Sequence, residues 1–237
     1  MQLKKSWFRN AFTGAITLAM VPGTVLADGK SEISDEVERT QKAAEVLHTM
    51  TQSEDSNIPE YLLEKAEGIA IIPNVVKGAL LVGGRYGKGI VSQRLDNGEW
   101  SSPVFVGIGG ASYGFQAGVK STDLVLIFTS KDGLEGLLED NLELGGEIGV
   151  AVGPIGRKAS LATNLTVDSP ILSYSRSEGL FAGASLEGAV LSLDHGANED
   201  VYGKGFNAEH VLTGKVMAPE ALSLVVAELD VHADSGR

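Results

Sequence analysis

The sequence predicts an α+β fold in which N-terminal helices precede a Gly-rich antiparallel β-sheet and short helices follow it. Three observations predict this order: a helical apolar repeat between Ser31 and Gly68, short apolar runs bounded by turn residues from Ile69 to about Asp194, and a second helical repeat near the C-terminus. Glycines are dense inside the predicted strands, where they allow bulges, tight bends and close backbone approach. We therefore expect a small, sharply coiled core that is barrel-like or sandwich-like.

The predicted first helix carries its apolar residues on one face, and acids outnumber bases on the other. The apolar residues are Ile33, Val37, Ala44, Leu47 and Met50. A membrane-surface helix would instead carry Lys and Arg on its polar face, so this helix is expected to pack on the sheet of its own domain. Pro59 suits the first turn of a second helix, Pro59–Glu67, which Gly68 ends.

The later elements are predicted from turn and cap signals. Asp96-Asn97-Gly98 is a strong turn signal for a β-hairpin. One helix interrupts the strands, and Asp132 is its expected cap. Two helices are predicted at the C-terminal end, Asn207–Leu212 and Pro219–Leu229.

The chain is predicted to hold a signal peptide at residues 1–27, an N-terminal helical segment at 28–60 and one domain at 61–237. The signal begins with the basic residues Lys4, Lys5 and Arg9, continues with the apolar stretch Ala11–Val21, and ends in small residues at Ala27. The apolar stretch is shorter than the ~20 residues that span a bilayer. We therefore expect cleavage after Ala27, export, and a periplasmic location peripheral to a membrane.

The composition excludes several classes of function. The chain has 237 residues and a formal net charge of −12, so it lacks the excess of Lys and Arg that DNA or RNA binding requires. It contains no cysteine, which excludes disulfides, thiolate metal sites and cysteine nucleophiles within it. Its four histidines show no metal-ligand spacing, and the acidic stretch from Asp194 to Asp200 is expected to be a solvated loop. We expect no metal, no cofactor and no nucleic-acid partner.

The stretch Gly110–Gly114 matches the G-x-S-x-G motif of α/β-hydrolases, with Ser112 as the nucleophile. That motif needs a turn from a strand into a helix, whereas the residues after Gly114 are typical of another strand. Asp194 and His195 are adjacent in the chain and cannot easily both serve one serine. The sequence therefore favours a non-catalytic protein and leaves a serine hydrolase that uses Ser112 as an alternative.

A Gly-rich segment, Gly83–Gly89, carries Arg85 and Lys88. It is not a nucleotide P-loop, because Val82 stands where the motif needs its first glycine and Gly89 stands where it needs Ser or Thr. The backbone N–H groups of a glycine turn, with two cations beside them, could still receive one phosphate. A solvated hairpin tip is the alternative interpretation.

Several segments that are weak signals alone occur in an order and number that make a family resemblance specific. They are Lys65–Pro73, Gly83–Gly89, Trp100–Pro103, Gly109–Gly114, Ser121–Val125, Gly153–Arg157 and Tyr174–Gly183. In these segments, which lie between about Tyr61 and Gly205, the sequence resembles the SYLF domain family. The resemblance implies a non-catalytic, lipid-binding domain of a family that is also labelled as an actin regulator.

The resemblance implies binding of an anionic phospholipid headgroup at a membrane surface, and the predicted signal peptide places that surface in the cell envelope. The candidates for contact with the headgroup phosphate are Arg85, Lys88, Arg157, Lys158 and Arg176. The alternative function is a structural or protein-interaction module of the envelope, because exposed edges of Gly-rich sheets can pair with other chains. A phospholipid or an envelope protein is the expected partner, and actin is not expected as a partner of an exported chain.

Overall fold

The described part of the chain covers most of the predicted domain. The computed structural model describes residues 33–52, 58–79, 82–113, 118–139, 141–146, 148–155, 169–177, 180–182 and 186–234. All of these residues belong to one compact unit. The predicted signal peptide, residues 1–27, lies outside the described residues.

Helices come first, strands next and helices last, as the sequence predicts. The helices before and within the sheet are α1 (Ser34–Gln52), α2 (Glu60–Glu64) and α3 (Asp132–Leu138). The strands are β1 (Gly68–Ala79), β2 (Val82–Gln93), β3 (Val104–Tyr113), β4 (Gly118–Phe128), β5 (Asn141–Leu144), β6 (Val150–Val152), β7 (Ile171–Ser177), β8 (Leu180–Ala182) and β9 (Ala189–Leu193). After the sheet come α4 (His195–Tyr202), α5 (Ala208–Leu212), a 3-10 helix (Glu220–Leu222) and α6 (Leu224–Asp234).

The described strands form one sheet in the order β5-β9-β3-β2-β1-β4-β7-β6, with β8 paired to β7. Neighbouring strands are antiparallel except for β6 and β7, which are parallel, so the sheet is mixed. Leu144, at the end of β5, pairs with Ile148, shortly before β6. Because this bridge links the two ends of the strand order, the sheet is nearly closed, and the predicted α+β fold with a barrel-like core is confirmed.

Side chains alternate between the two faces of this sheet, and each face buries its own hydrophobic cluster. The inner face is enclosed by the curved sheet, and its buried residues include Ile72, Val91, Val106, Leu126 and Leu144. The outer face is covered by α1, α2 and α6, and its buried residues include Ile71, Ile90, Phe105 and Val125. Strands that are buried on both faces read as continuous apolar runs, which explains the sequence of β4.

The helix boundaries differ from prediction at four points. The predicted C-terminal helix Pro219–Leu229 is a 3-10 helix, Glu220–Leu222, followed by α6, Leu224–Asp234. Gly68 is the first residue of β1 rather than the end of a helix, and α2 ends at Glu64. Asp132 is the first residue of α3 rather than its cap. The stretch after Asp194, expected to be a loop, is helix α4. It forms a helix because the Asp194 carboxylate accepts a hydrogen bond from the Ala197 N–H and caps the first turn.

Helix α1 packs on the outer face, as expected, but through a broader face than its apolar repeat predicts. Ala43, Leu47 and Met50 are fully buried. Glu36 and Thr40, which are not part of the apolar repeat, are also buried. The Thr40 hydroxyl donates to the Glu36 carbonyl oxygen at 2.8 Å, which satisfies this polar group inside the interface.

Two glycines of β2 are required by its close packing against β1. The pairing of β1 with β4 shifts between Ile72 and Val75, which marks a bulge in β1. A Cβ atom at Gly87 would lie 2.9 Å from the Cγ2 atoms of both residues, and one at Gly89 would collide with the carbonyl oxygen of Ile71. Backbone atoms cannot move away without disturbing the sheet, so these positions need glycine for the close approach that the sequence predicts.

Candidate functional site

One cross-strand row on the inner face carries three cations. Arg85 of β2 and Lys77 of β1 are direct Cα partners, and Lys77 is also the direct partner of Lys120 on β4. Residues that oppose each other in this way project from the same face with their Cβ atoms about 5 Å apart. We call these three residues the cationic rim, because they lie near the end of the strands, beyond the apolar part of the inner face.

The rim is accessible to solvent at its two lysines. Lys77 and Lys120 are exposed, and neither forms an ion pair with any residue that the structure describes. Arg85 is half-buried, and burial lowers the pKa of its guanidinium. That pKa starts so high that the group stays protonated. The rim therefore carries three positive charges at neutral pH.

The residues below the rim become progressively more apolar. The next row on the inner face contains Ile108, Val75 and Thr122, and the row after it contains Val106, Ile72 and Leu124. These apolar residues belong to the buried inner cluster. Because they fill the interior of the sheet, an anion could contact the rim but could not pass far below it.

Strand β7 adds hydroxyl groups to the inner face beside this region. Ser175 is buried and is the direct partner of Leu124 on β4. Ser177, two residues further along the same face, is also buried, and its Oγ atom donates to the Ser121 carbonyl oxygen at 3.0 Å. The inner face thus changes from apolar to hydroxylic to cationic toward the rim.

The predicted phosphate ligand Lys88 lies on the outer face, away from Arg85. Its Nζ atom is 2.8 Å from Oδ2 of Asp194, and Nη1 of Arg39 is 3.0 Å from the same oxygen. Burial raises the pKa of the Asp194 carboxyl, but hydrogen bonds from Lys88 and Arg39 outweigh this effect and the pKa is lowered. Any phosphate at Lys88 would compete with this carboxylate.

The other predicted ligands do not join Arg85 either. Arg176 is on the outer face of β7, and its Nη2 atom is 3.8 Å from Oδ2 of Asp123. Arg157 and Lys158 lie outside the described residues. The structure therefore separates Arg85 from Lys88 and Arg176 and brings it together with Lys77 and Lys120, which sequence reasoning missed. Whether any of the five predicted residues contacts a headgroup stays a prediction.

The geometry gives no support to the hydrolase alternative. Ser112 lies within β3, which runs to Tyr113, and the next described element, from Gly118, is another strand. The backbone at Ser112 is thus an extended strand rather than a turn into a helix. Asp194, the proposed acid of the triad, is bound to Lys88 and Arg39.

A cavity of about 310 Å³ lies at the seam between β5 and β6; among its described lining residues Glu187 is charged and none is a cation, so it suits a phosphate poorly. No group of acidic and histidine side chains among the described residues could hold a metal ion. None of the described helices combines the length and the apolar character that crossing a bilayer would require.

Comparison with known proteins places the chain among relatives of similar sequence. A family model described as "Ysc84: Las17-binding protein actin regulator" matches residues 109–230. The chain is 36% identical over 202 residues to Protein YSC84 of Saccharomyces cerevisiae, covering 82% of this chain and 43% of that protein. It is 34% identical over 202 residues to LAS seventeen-binding protein 3 of the same yeast, covering 82% and 44%. It is 38% identical over 185 residues to human SH3 domain-containing YSC84-like protein 1, covering 76% and 54%. The chain thus spans about half the length of these relatives.

These comparisons correct one expectation and settle the family. The expectation that actin is not a partner is wrong, because the matching family model is described as an actin regulator and one relative is named for binding LAS seventeen. The description of the family model and the name of that relative denote binding and regulation rather than an enzyme activity. Since the family model matches more than half of the chain and the relatives match most of it, the chain belongs to the Ysc84 family, the SYLF family that its sequence resembles.

Proposed function

We propose that this domain binds the phosphate of an anionic phospholipid headgroup at the cationic rim and catalyses no reaction on it. The observation that carries the proposal is the direct cross-strand alignment of Arg85, Lys77 and Lys120. Like charges that oppose each other in a sheet repel one another. A phosphate that bridges these side chains through charge-assisted hydrogen bonds would reduce this repulsion.

The charge distribution supports a local contact rather than adsorption of the whole protein. The net charge of −12 disfavours simple electrostatic attraction to an anionic membrane. Asp123, the described carboxylate on β4 near Lys120, lies on the outer face, where it accepts a hydrogen bond from the Asn74 N–H at 3.0 Å and pairs with Arg176. Asp123 therefore does not lie on the face that carries the rim. Arg85 can hold a phosphate with paired hydrogen bonds, and the lysines add point charges.

The test is flotation of the protein with vesicles of phosphatidylcholine, with and without phosphatidylglycerol. Each Lys near an anionic surface contributes about 1 kcal/mol, so the K77A/K120A double variant should bind anionic vesicles about thirtyfold more weakly. The matched control is K204A/K215A, which removes two exposed lysines elsewhere and should bind like the wild type. Equal losses in the two double variants would contradict the rim as the site. No binding by the wild type would contradict the function.

A protein partner of the actin-regulatory kind is the second candidate function. The observation that favours it is the description of the matching family model as a Las17-binding actin regulator. Co-sedimentation of the purified domain with actin filaments, and capture of Las17 by the immobilised domain, test it. Binding to either protein that persists in K77A/K120A would indicate a surface other than the rim.

We also propose that the domain acts in the cell envelope after removal of residues 1–27. The basic start, short apolar stretch and small residues of this segment support export. Cell fractionation followed by N-terminal sequencing tests this proposal. A chain that begins at Asp28 in the envelope fraction is expected, and a chain that begins at Met1 in the cytoplasmic fraction would contradict it.

A further inference from the structure

The strand end that carries the cationic rim exposes an apolar pair on the opposite face. Val76 of β1 and Tyr86 of β2 are direct cross-strand partners on the outer face, and 44% and 60% of their surfaces are exposed. They are the chain neighbours of Lys77 and Arg85, and successive side chains in a strand point to opposite faces. One strand end thus offers apolar side chains on its outer face and cations on its inner face.

This apolar pair lies outside the buried cluster of the outer face. Helices α1, α2 and α6 contribute to the buried outer cluster around Ile90 and Phe105, to which neither Val76 nor Tyr86 belongs. The partner of Tyr86 on β3 is Gly109, where an added Cβ atom would meet nothing within 4 Å. A tyrosine with an apolar ring and a polar tip suits the boundary between water and a bilayer.

We propose that this strand end docks on an anionic lipid bilayer, with Tyr86 and Val76 inserted at the boundary between headgroups and acyl chains. This inference rests on the proposed function, because the cationic rim would hold the lipid phosphates in the same docked state. Apolar side chains that can insert favour a bilayer as the binding partner of this strand end. The positive charge beside them favours a bilayer that contains anionic lipids.

Charge also favours this strand end over the exposed apolar residues of helix α6. Helix α6 exposes Leu224 and Val231, at 49% and 63%, but it also carries Glu228 and Asp230. With a net charge of −12 on the whole chain, an anionic bilayer would repel such a surface. An orientation that turns the cationic rim toward the bilayer brings electrostatic attraction and the insertion of Val76 and Tyr86 together.

Helix α1 stays on the sheet in this docked state. Leu47 and Met50 are fully buried against the outer face. The Arg39 guanidinium lies 5.3 Å from the centre of the Phe105 ring and is bound to Asp194. Release of α1 would expose this part of the core to water, so the strand end provides the apolar contact with the bilayer instead.

The double variant V76S/Y86S tests the docking surface in the full chain. It should bind phosphatidylcholine–phosphatidylglycerol vesicles about tenfold more weakly, because the inserted apolar surface is lost. Its affinity for soluble glycerol 1-phosphate should be unchanged, since the rim is intact. The matched control L224S/V231S removes two exposed apolar side chains from α6 and should bind both probes like the wild type.

A tryptophan at position 86 gives a second readout. In Y86W, anionic vesicles should shift the fluorescence of the new tryptophan to shorter wavelength, whereas glycerol 1-phosphate should not. If V76S/Y86S binds the vesicles like the wild type, or Y86W shows no shift on vesicles that it binds, the docking surface is wrong and the headgroup site stands. If the wild type binds neither vesicles nor glycerol 1-phosphate, the proposed function fails, and the docking surface fails with it.

Discussion

Replacement of Asn198 by alanine is the perturbation of the fold whose effect follows most directly from the structure. The Asn198 side chain is fully buried. Its Oδ1 atom accepts a hydrogen bond from the Phe105 N–H at 2.8 Å, and its Nδ2 atom donates to the carbonyl oxygens of Phe105 at 2.8 Å and Asp194 at 2.9 Å. Strand β9 ends at Leu193, the partner of Val106. The Asn198 amide therefore supplies hydrogen bonds to the Phe105 backbone where β3 continues beyond the end of β9.

The Asn198→Ala variant removes a partner that the Phe105 N–H cannot easily replace. The Phe105 carbonyl oxygen keeps a hydrogen bond from the Asp194 N–H at 2.9 Å, whereas the Phe105 N–H is left in a dry core. An unsatisfied buried N–H costs about 2 kcal/mol, and the lost packing of the side chain adds about 1 kcal/mol. We therefore expect the free energy of unfolding to fall by about 3 kcal/mol.

Urea unfolding and thermal melting, followed by circular dichroism, measure this loss. For a chain of this size, 3 kcal/mol corresponds to a decrease in Tm of about 9 °C. The control is Asn207→Ala, which removes an exposed cap that accepts from the His210 N–H in α5 and should cost about 1 kcal/mol. A loss at Asn198 no larger than the loss at Asn207 would refute the reasoning, since it would mean that the Phe105 N–H finds another partner.

Two further predictions concern packing and pH. Gly89→Ala should lower the free energy of unfolding by about 3 kcal/mol, because its Cβ atom would collide with the β1 backbone. The control Gly109→Ala should leave the free energy of unfolding unchanged or slightly higher. Equal urea midpoints for the two variants would contradict this prediction. The pKa of the Asp194 carboxyl is lower in the folded protein than in the unfolded chain. The ion pairs of Asp194 therefore stabilise the protein fully at pH values above the unfolded pKa of about 4. This stabilisation is lost as the pH falls through the lower pKa of the folded state. Asp194→Asn should flatten the acid side of the pH–stability profile, and the exposed control Asp96→Asn should not.

The parts of the fold that sequence reasoning predicted well depend on local signals. In the turn Asp96-Asn97-Gly98, the Asn97 side-chain oxygen accepts from the Glu99 N–H at 3.1 Å, and Gly98 adopts a φ of 90°. Asn207 caps α5, and Gly214, with a φ of 74°, follows that helix. Because these interactions lie within a few residues, the residue types alone indicate them.

The cationic rim could not be predicted in the same way, because it depends on the register of three strands. Strict alternation from Ile72, which is on the inner face, would place Lys77 on the outer face. The bulge between Ile72 and Val75 adds one residue and returns Lys77 to the inner face beside Arg85, since a slip of one residue reverses the side-chain direction. No local residue pattern signals the position of this bulge relative to β2 and β4.

The ion pairs of the predicted ligands were hidden for a related reason. Lys88 and Asp194 are 106 positions apart in the chain, and Arg39 and Asp194 are 155 apart. Their contact arises only when α1, β2 and the start of α4 meet on the outer face. The Gly-rich segment Gly83–Gly89, read from the sequence as a glycine turn or a hairpin tip, lies within strand β2. Its residue types also did not show that Lys88 is bound to a carboxylate.

NMR of the isotope-labelled protein tests most directly whether a phosphate binds at the cationic rim. The shifts of the backbone amide signals show which residues lie near a bound phosphate ester. Titration with glycerol 1-phosphate should shift the amide signals of Lys77, Arg85 and Lys120 saturably, and K77A/K120A should abolish these shifts. Saturable shifts confined to Lys88 and Asp194, or no saturable shift at all, would contradict the account.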